Sequence, residues 1–256
     1  MNGLTLRILS ALVLGPLALA AVWFGSPLLP ALVALAGAGM GWEWARLSRV
    51  ASPVAVVLII AAPFLAACAI AFGQDDAAWL IAVLFAAGAA LAERGPGARF
   101  WSFVGTLWIA LPCAALLWLQ RSGGRGTIFF LLAVVWASDI GAYAFGRIIG
   151  GPKLAPKLSP NKTWAGALGG LLCAMLVGVA TAALTQAAAP RLVAIGFVVA
   201  VAAVLGDLAE SFAKRRFGVK DSGKLIPGHG GLLDRLDSLL AASAALALLL
   251  GLAARL

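Results

Sequence analysis

The sequence predicts an all-α, polytopic integral membrane protein with one membrane domain over residues 1–256. Hydrophobic residues make up 63% of the chain, charged residues make up 11%, and mean hydropathy is +1.03. Soluble domains contain about 45–50% apolar and about 25% charged residues. Composition therefore excludes a water-soluble globular domain. The net charge of +9 rests on so few charged residues that it does not predict nucleic-acid binding.

About nine apolar runs approach the roughly 20 residues that a membrane-spanning helix needs. The first run follows Arg7 and could be a secretory signal peptide, but the eight runs behind it favour a retained span. Tryptophans such as Trp23 and Trp118 fall near predicted span ends, as an interfacial aromatic belt requires. The predicted spans are 6–25, 28–44, 53–73, 77–92, 100–120, 127–147, 163–185, 191–213 and 235–254.

Basic residues predict the orientation of these spans. With nine spans, fifteen Lys and Arg residues fall on the N-terminal side of the membrane and four on the other. The positive-inside rule therefore predicts a cytoplasmic N-terminus and an external C-terminus. Two cytoplasmic loops, 147–162 and 214–234, are long and rich in Gly, Pro and charge, whereas the external loops are too short to fold a site.

A polar stripe marks the end of the eighth span. It consists of Asp207, Glu210, Ser211, Lys214 and Arg215, whose spacing places them on one face of an α-helix. One interpretation is a salt-bridged helix end in which Glu210 pairs with Lys214. The other is a charged site that descends from the membrane boundary into the cytoplasm.

A glycine-rich segment follows the stripe. It contains Lys220-Asp221-Ser222-Gly223 and then Pro227-Gly228-His229-Gly230-Gly231, and it leads into Asp234-Arg235-Leu236-Asp237. Glycines let backbone amides approach phosphate oxygens. Asp234 and Asp237 could cap the ninth helix, and His229 could act in catalysis or orient the loop. Carboxylates among Lys and Arg at a membrane face favour Mg²⁺ held between protein and substrate phosphates.

This region resembles the signature of the phosphatidate cytidylyltransferases, also called CDP-diacylglycerol synthases. The pattern S-x-x-K-R-x4-K-D-S-G-x-x-I-P-G-H-G-G-x-x-D-R-x-D runs from Ser211 to Asp237. The segments G-D-L-x-E-S, from Gly206, and S-P-x-K-T-W-x-G, from Ser159, are also similar to that family. Ala165 departs from it, because many members carry Glu or Gln there. The first ~130 residues match only in hydrophobic character.

The resemblance implies an enzyme of phospholipid biosynthesis that converts CTP and phosphatidate to CDP-diacylglycerol and pyrophosphate. It implies Mg²⁺, with a monovalent cation such as K⁺ beside it, and a homodimer in the bacterial inner membrane with its site facing the cytoplasm. Residues 1–126 would form a scaffold for lipid and dimer contacts, and residues 127–256 would hold the catalytic helices and both loops.

The same resemblance, with the residue patterns above, gives a set of expected site residues. Asp207 and Asp234 match the metal-binding carboxylates. The expected catalytic residues are Asp207, Lys214, Arg215, Lys220, Asp221, His229, Asp234 and Arg235. The expected substrate-binding residues are Ser159, Asn161, Lys162, Thr163, Glu210, Ser211, Asp139, Tyr143 and Asp237.

Asp139 lies within the sixth predicted span, with Tyr143 one turn further on. An ionisable residue at that depth is a candidate for function. It either lines a cavity for the phosphatidate head group, with Tyr143, or is a neutral, hydrogen-bonded residue that joins helices.

Two other classes of membrane protein fit the sequence less well. A transporter of an anionic solute is the alternative function, but transporters distribute charge through several helices near the midplane, whereas here it collects at one face. The D-G-x-x-A-R pattern of the CDP-alcohol phosphotransferases does not occur in the sequence.

Overall fold

A computed structural model of the protein describes residues 3–228 and 230–253, with the side chains of residue 10 and of residues 12 onward in those ranges. These residues form helices and one small β-hairpin, which confirms the all-α fold. The helices are Gly3–Phe24 (α1), Leu28–Leu47 (α2), Pro53–Ala71 (α3), Asp75–Ala92 (α4), Pro96–Ile148 (α5), Trp164–Thr185 (α6), Ala189–Arg216 (α7) and Leu233–Ala253 (α8). The strands are Lys153–Ala155 (β1) and Ser159–Thr163 (β2).

The helices confirm a multi-pass membrane protein. Within the described residues, seven helices, α2 to α8, are long and apolar enough to cross a membrane. Helix α5 has 53 residues and covers two predicted spans, and at ~1.5 Å per residue it far exceeds a hydrocarbon core of ~30 Å. Gly124 interrupts the helix with a φ of 73° and a ψ of −178°. Glycine adopts this conformation readily because it has no side chain. The count of nine spans stays a prediction.

The described residues pack as two compact units. Unit 1 comprises Met1–Arg125 and Arg216–Leu236, and unit 2 comprises Gly126–Arg215 and Asp237–Leu256. The glycine-rich segment therefore packs with the N-terminal helices, although in sequence it lies between α7 and α8. The predicted functional division between residues 1–126 and 127–256 stays a prediction.

Small residues bring the helices of unit 1 close together. A Cβ on Gly41 of α2 would lie 2.7 Å from the backbone oxygen of Ile59 in α3. Ala62, Ala82 and Ala110 are fully buried in one cluster, so α3, α4 and α5 also meet through small side chains. Such contacts let apolar helices associate by close van der Waals packing where lipid supplies no hydrophobic driving force.

Close backbone approaches also organise unit 2. A Cβ on Gly170 of α6 would lie 2.7 Å from the Ser138 oxygen in α5, and one on Gly178 would lie 2.7 Å from the Leu192 oxygen in α7. Gly206 of α7 similarly faces α8. These contacts bring α5 against α6, α6 against α7, and α7 against α8.

The loop 147–162 of unit 2 contains the β-hairpin. Strands β1 and β2 are antiparallel, and Lys153 pairs with Thr163. Thr163 then caps α6, since its Oγ1 accepts a hydrogen bond from the Gly166 amide at 3.1 Å. The hairpin and the cap together fix the position of Lys162, the residue just before the helix.

Candidate active site

Unit 2 contains a cavity of about 610 Å³, within the range of ~300–1,000 Å³ that small-molecule sites occupy. Its walls come from α5, the hairpin, α6, α7 and α8. The polar side chains that line it are Ser138, Asp139, Tyr143, Arg147, Asn161, Lys162, Thr163, Asp207 and Ser238. The segment around Ser159, the sixth span and the polar stripe therefore meet around one space.

An ion pair crosses the wall of this cavity. The Lys162 ammonium, at the end of the hairpin, contacts the Asp207 carboxylate of α7. The side chains are 27% and 31% exposed, so both are partly shielded from water yet can be reached from the cavity. Charges in such a setting interact more strongly than at an open surface. The pair places one cationic and one anionic group side by side.

One face of α5 contributes a second polar row. Asp139, Tyr143 and Arg147 are spaced four residues apart, and all three line the cavity. Arg147 Nη1 donates a hydrogen bond to the Tyr143 hydroxyl at 2.9 Å. Arg147 is not among the predicted site residues, although its spacing from Asp139 and Tyr143 could have revealed it.

The polar stripe of α7 forms a network of its own. The Lys214 ammonium lies 3.5 Å from the Glu210 carboxylate, so the predicted i,i+4 pair is present. Ser211 Oγ donates a hydrogen bond to Asp207 Oδ1 at 3.3 Å. The buried Asp237 of α8 accepts the Ser238 amide at 2.7 Å. These contacts join Ser211 to Asp207 and Lys214 to Glu210 along one face of α7.

The predicted substrate-binding residues divide into two groups. Asp139, Tyr143, Asn161, Lys162 and Thr163 line the cavity, and their roles stay predictions. The remaining four are not among the lining residues: Ser159, Glu210, Ser211 and Asp237. Of the predicted catalytic residues in unit 2, Asp207 lines the cavity, and Arg215 Nε donates to the Leu158 oxygen at 3.4 Å.

The predicted catalytic residues from Lys220 onward belong to unit 1. Asp234 accepts hydrogen bonds from the amides of Ser222, at 2.9 and 3.1 Å, and of Gly231, at 2.9 Å. The carboxylate thus fixes the glycine-rich segment that precedes α8. These two donors lie before the first turn of the helix, so the capping role of Asp234 stays a prediction. Lys220, Asp221 and Arg235 are exposed. His229 lies outside the described residues.

Glu43 of α2 is a residue that the sequence prediction missed. It is fully buried in unit 1, and its carboxylate accepts hydrogen bonds from the amides of Leu233, at 2.9 Å, and Leu225, at 3.4 Å. The sequence feature that could have revealed it is an acidic residue inside the apolar run 28–44.

No group of three or more His, Cys, Asp or Glu side chains among the described residues is arranged to hold a metal ion. Mg²⁺ commonly uses only one or two protein carboxylates, however, and takes its other ligands from water and substrate phosphates. Asp207 at the cavity wall suits such a partial ligand set.

Sequence similarity relates this chain to proteins of known function. The model of the cytidylyltransferase family matches residues 5–253. The phosphatidate cytidylyltransferase of Brucella suis biovar 1 (strain 1330) is 40% identical over 251 residues, which cover 96% of this chain and 93% of that protein.

Two further relatives with the same name match over part of their length. The phosphatidate cytidylyltransferase of Staphylococcus saprophyticus is 48% identical over 124 residues, which are 48% of each chain. That of Mycobacterium leprae is 42% identical over 135 residues, which are 52% of this chain and 43% of the relative. The chain belongs to the cytidylyltransferase family, among the bacterial phosphatidate cytidylyltransferases.

Proposed function

We propose that this protein transfers the cytidylyl group of CTP to phosphatidate, forming CDP-diacylglycerol and pyrophosphate in phospholipid biosynthesis. The Lys162–Asp207 pair in the wall of the 610 Å³ cavity carries this proposal within the structure. A substrate phosphate is bound by a cationic protein group, and its metal counter-ion by an anionic one. Lys162 and Asp207 provide these two groups. The family membership supplies the reaction class.

The reaction needs no nucleophile from the protein. An oxygen of the phosphatidate phosphate attacks the α-phosphorus of CTP, and the bond from that phosphorus to the β-phosphate bridging oxygen breaks to release pyrophosphate. Both reactants are anionic, so their repulsion must be neutralised first. Lys162 and Arg147 line the cavity and supply positive charge for this purpose.

A magnesium ion is the expected cofactor. When bound, it neutralises charge on the α-phosphate and on the departing pyrophosphate. Asp207 would hold it from the protein side together with substrate oxygens, and the resemblance adds Asp234 as a second carboxylate. A monovalent cation such as K⁺ beside it is part of the same proposal.

The membrane setting of the proposed enzyme follows from its substrates. Phosphatidate keeps its acyl chains in the bilayer, whereas CTP arrives from the cytosol. We therefore place the cavity at the cytoplasmic face of the bacterial inner membrane, with the enzyme as a homodimer. The excess of basic residues predicted on that side would also attract an anionic lipid.

The direct test is pyrophosphate release by the detergent-purified protein. We expect release from CTP only when phosphatidate and Mg²⁺ are both present, with CDP-diacylglycerol formed in equal amount. Omission of each component in turn is the control. Pyrophosphate released without phosphatidate, or none with all components and a folded protein, would contradict the proposal.

The transporter alternative is not favoured by the family membership. Proteoliposomes provide its test, since a transporter would move an anionic solute across the bilayer without forming pyrophosphate.

A further inference from the structure

The segment 217–232 of unit 1, here called the signature loop, carries several of the predicted catalytic residues. We propose that Glu43 is a positioning residue that holds the signature loop in its active conformation from α2. This inference rests on the proposed function only for its kinetic readout, because the structural part concerns the loop itself.

The hydrogen bonds of Glu43 reach the middle of the signature loop, at Ser222 and Leu225, and the residue that follows the loop, Leu233. Oε2 accepts the Leu233 amide at 2.9 Å and the Ser222 hydroxyl at 3.4 Å, and Oε1 accepts the Leu225 amide at 3.4 Å. These partners lie about 180 residues further along the chain. One buried carboxylate therefore joins α2 to the loop and to the first residue of α8.

Glycines of the loop are shaped to receive this carboxylate. A Cβ on Gly223 would lie within 2.7 Å of Glu43 Cγ. A Cβ on Gly231 would first meet the Ser222 hydroxyl, and it would lie 2.8 Å from Glu43 Oε2. Contacts this short force something to move. Glycine at position 223 is therefore explained by contact with Glu43, and glycine at position 231 by contact with Ser222 and Glu43 together, independently of any phosphate.

Two further contacts hold the signature loop against the N-terminal helices. One turn before Glu43, a Cβ on Gly39 would lie 3.3 Å from side-chain carbons of Leu225 and Leu232. At the other end of the loop, Phe217 packs edge-on against Trp101, with ring centroids 5.2 Å apart. The loop thus begins on an aromatic contact and ends on Glu43.

Glutamine cannot replace Glu43 at this position. Both carboxylate oxygens accept from backbone amides, so one of them would become an NH₂ group that faces another N–H donor. The amide that loses its acceptor would be left unsatisfied in the interior. Glu43→Gln should therefore loosen the loop while it keeps the volume of the side chain.

Glu93 provides the matched control. It is also a buried carboxylate of unit 1, and it accepts the amides of Ala51 and Ser52 on a single oxygen, Oε1, at 3.0 and 2.8 Å. A glutamine can present one oxygen to both amides, and these partners lie at the start of α3 rather than in the signature loop.

Limited trypsin digestion of the detergent-purified full chain tests the inference. Lys220 and Lys224 are exposed in the loop, so mass spectrometry can follow cleavage after each. We expect Glu43→Gln to raise the cleavage rate there at least fivefold and to lower kcat at least tenfold, with a smaller change in KM for CTP. Glu93→Gln should match the wild type in cleavage and kcat.

Gly223→Ala keeps the Glu43 carboxylate but disturbs its contact with the loop. This variant therefore provides a second test if Glu43→Gln does not fold. It should also raise loop cleavage and lower kcat. Wild-type cleavage and kcat in Gly223→Ala or Glu43→Gln would overturn the inference, as would lost activity with wild-type cleavage. If the wild type releases no pyrophosphate, the proposed function fails, while the cleavage rates still decide the role of Glu43.

Discussion

A Cβ on Gly206 of α7 would lie 2.8 Å from the backbone oxygen of Asp237 in α8. The two helices thus approach each other closely at the residue before Asp207, whose carboxylate faces the cavity. Ser238 of α8 lines the same cavity. The absence of a side chain at Gly206 therefore sets how near these two polar residues come.

We predict that Gly206→Ala separates α7 from α8. The added methyl group also meets the Ala241 Cβ, and overpacking of this kind costs about 1–3 kcal/mol. The midpoint of thermal unfolding in detergent should fall, and pyrophosphate release should fall with it. Gly97→Ala is the control, because a Cβ there contacts nothing within 4 Å. An unfolding midpoint for Gly206→Ala equal to that of this control would disprove the close-packing argument.

The second prediction concerns the cation of the ion pair. Lys162→Met should lower kcat about 10²- to 10³-fold, the loss typical of removing one group that stabilises charge in a transition state. Lys157→Met is the matched control, since Lys157 is exposed in the same segment and does not line the cavity. Steady-state pyrophosphate release with both substrates gives the measurement. Equal kcat values for the two variants would remove Lys162 from the mechanism.

The third prediction separates the metal-ligand role from the capping role among the aspartates. Asp207→Asn should lose turnover by orders of magnitude and need more Mg²⁺ for what remains. Asp234 accepts the amides of Ser222 and Gly231, which precede α8, and loss of a structural contact such as a helix cap costs only about 1 kcal/mol of stability. Titration of Mg²⁺ against activity, with thermal unfolding alongside, distinguishes the roles. If Asp234→Asn changes only the unfolding midpoint, the residue has a structural role and does not bind metal.

The fourth prediction addresses Asp139. Asp139→Asn should fold normally, because the amide keeps the shape of the side chain and the residue is exposed to the cavity. If the cavity admits the phosphatidate head group, turnover should fall while the unfolding midpoint stays within a few degrees of wild type. Unchanged turnover with a clearly lower midpoint would instead assign Asp139 to helix packing. Tyr143→Phe, which removes the acceptor of the Arg147 hydrogen bond, tests the same wall independently.

Local spacing accounts for the parts of the site that the sequence predicted. Asp207, Ser211, Glu210 and Lys214 share one helical face, so their contacts follow from the geometry of α7 alone. Asp139 and Tyr143 are one turn apart for the same reason. The same spacing could have predicted Arg147, because it lies four residues after Tyr143 on the same face of α5.

Contacts between distant segments could not be predicted in this way. Lys162 meets Asp207 because a hairpin, a helix cap and glycine contacts place β2 against α7. Glu43 meets the signature loop across about 180 residues.

The sequence by itself determined that the chain is a helical membrane protein, since burying long apolar runs in lipid depends on composition and length. Through its resemblance to the signature of the family, it also predicted which residues carry the chemistry, and those roles stay predictions. Only the tertiary structure decided which polar groups share a cavity and that Glu43 is the carboxylate bonded to the signature loop. The physical reason is that helix packing depends on backbone approaches at single glycines, and no local periodicity encodes which segments meet there.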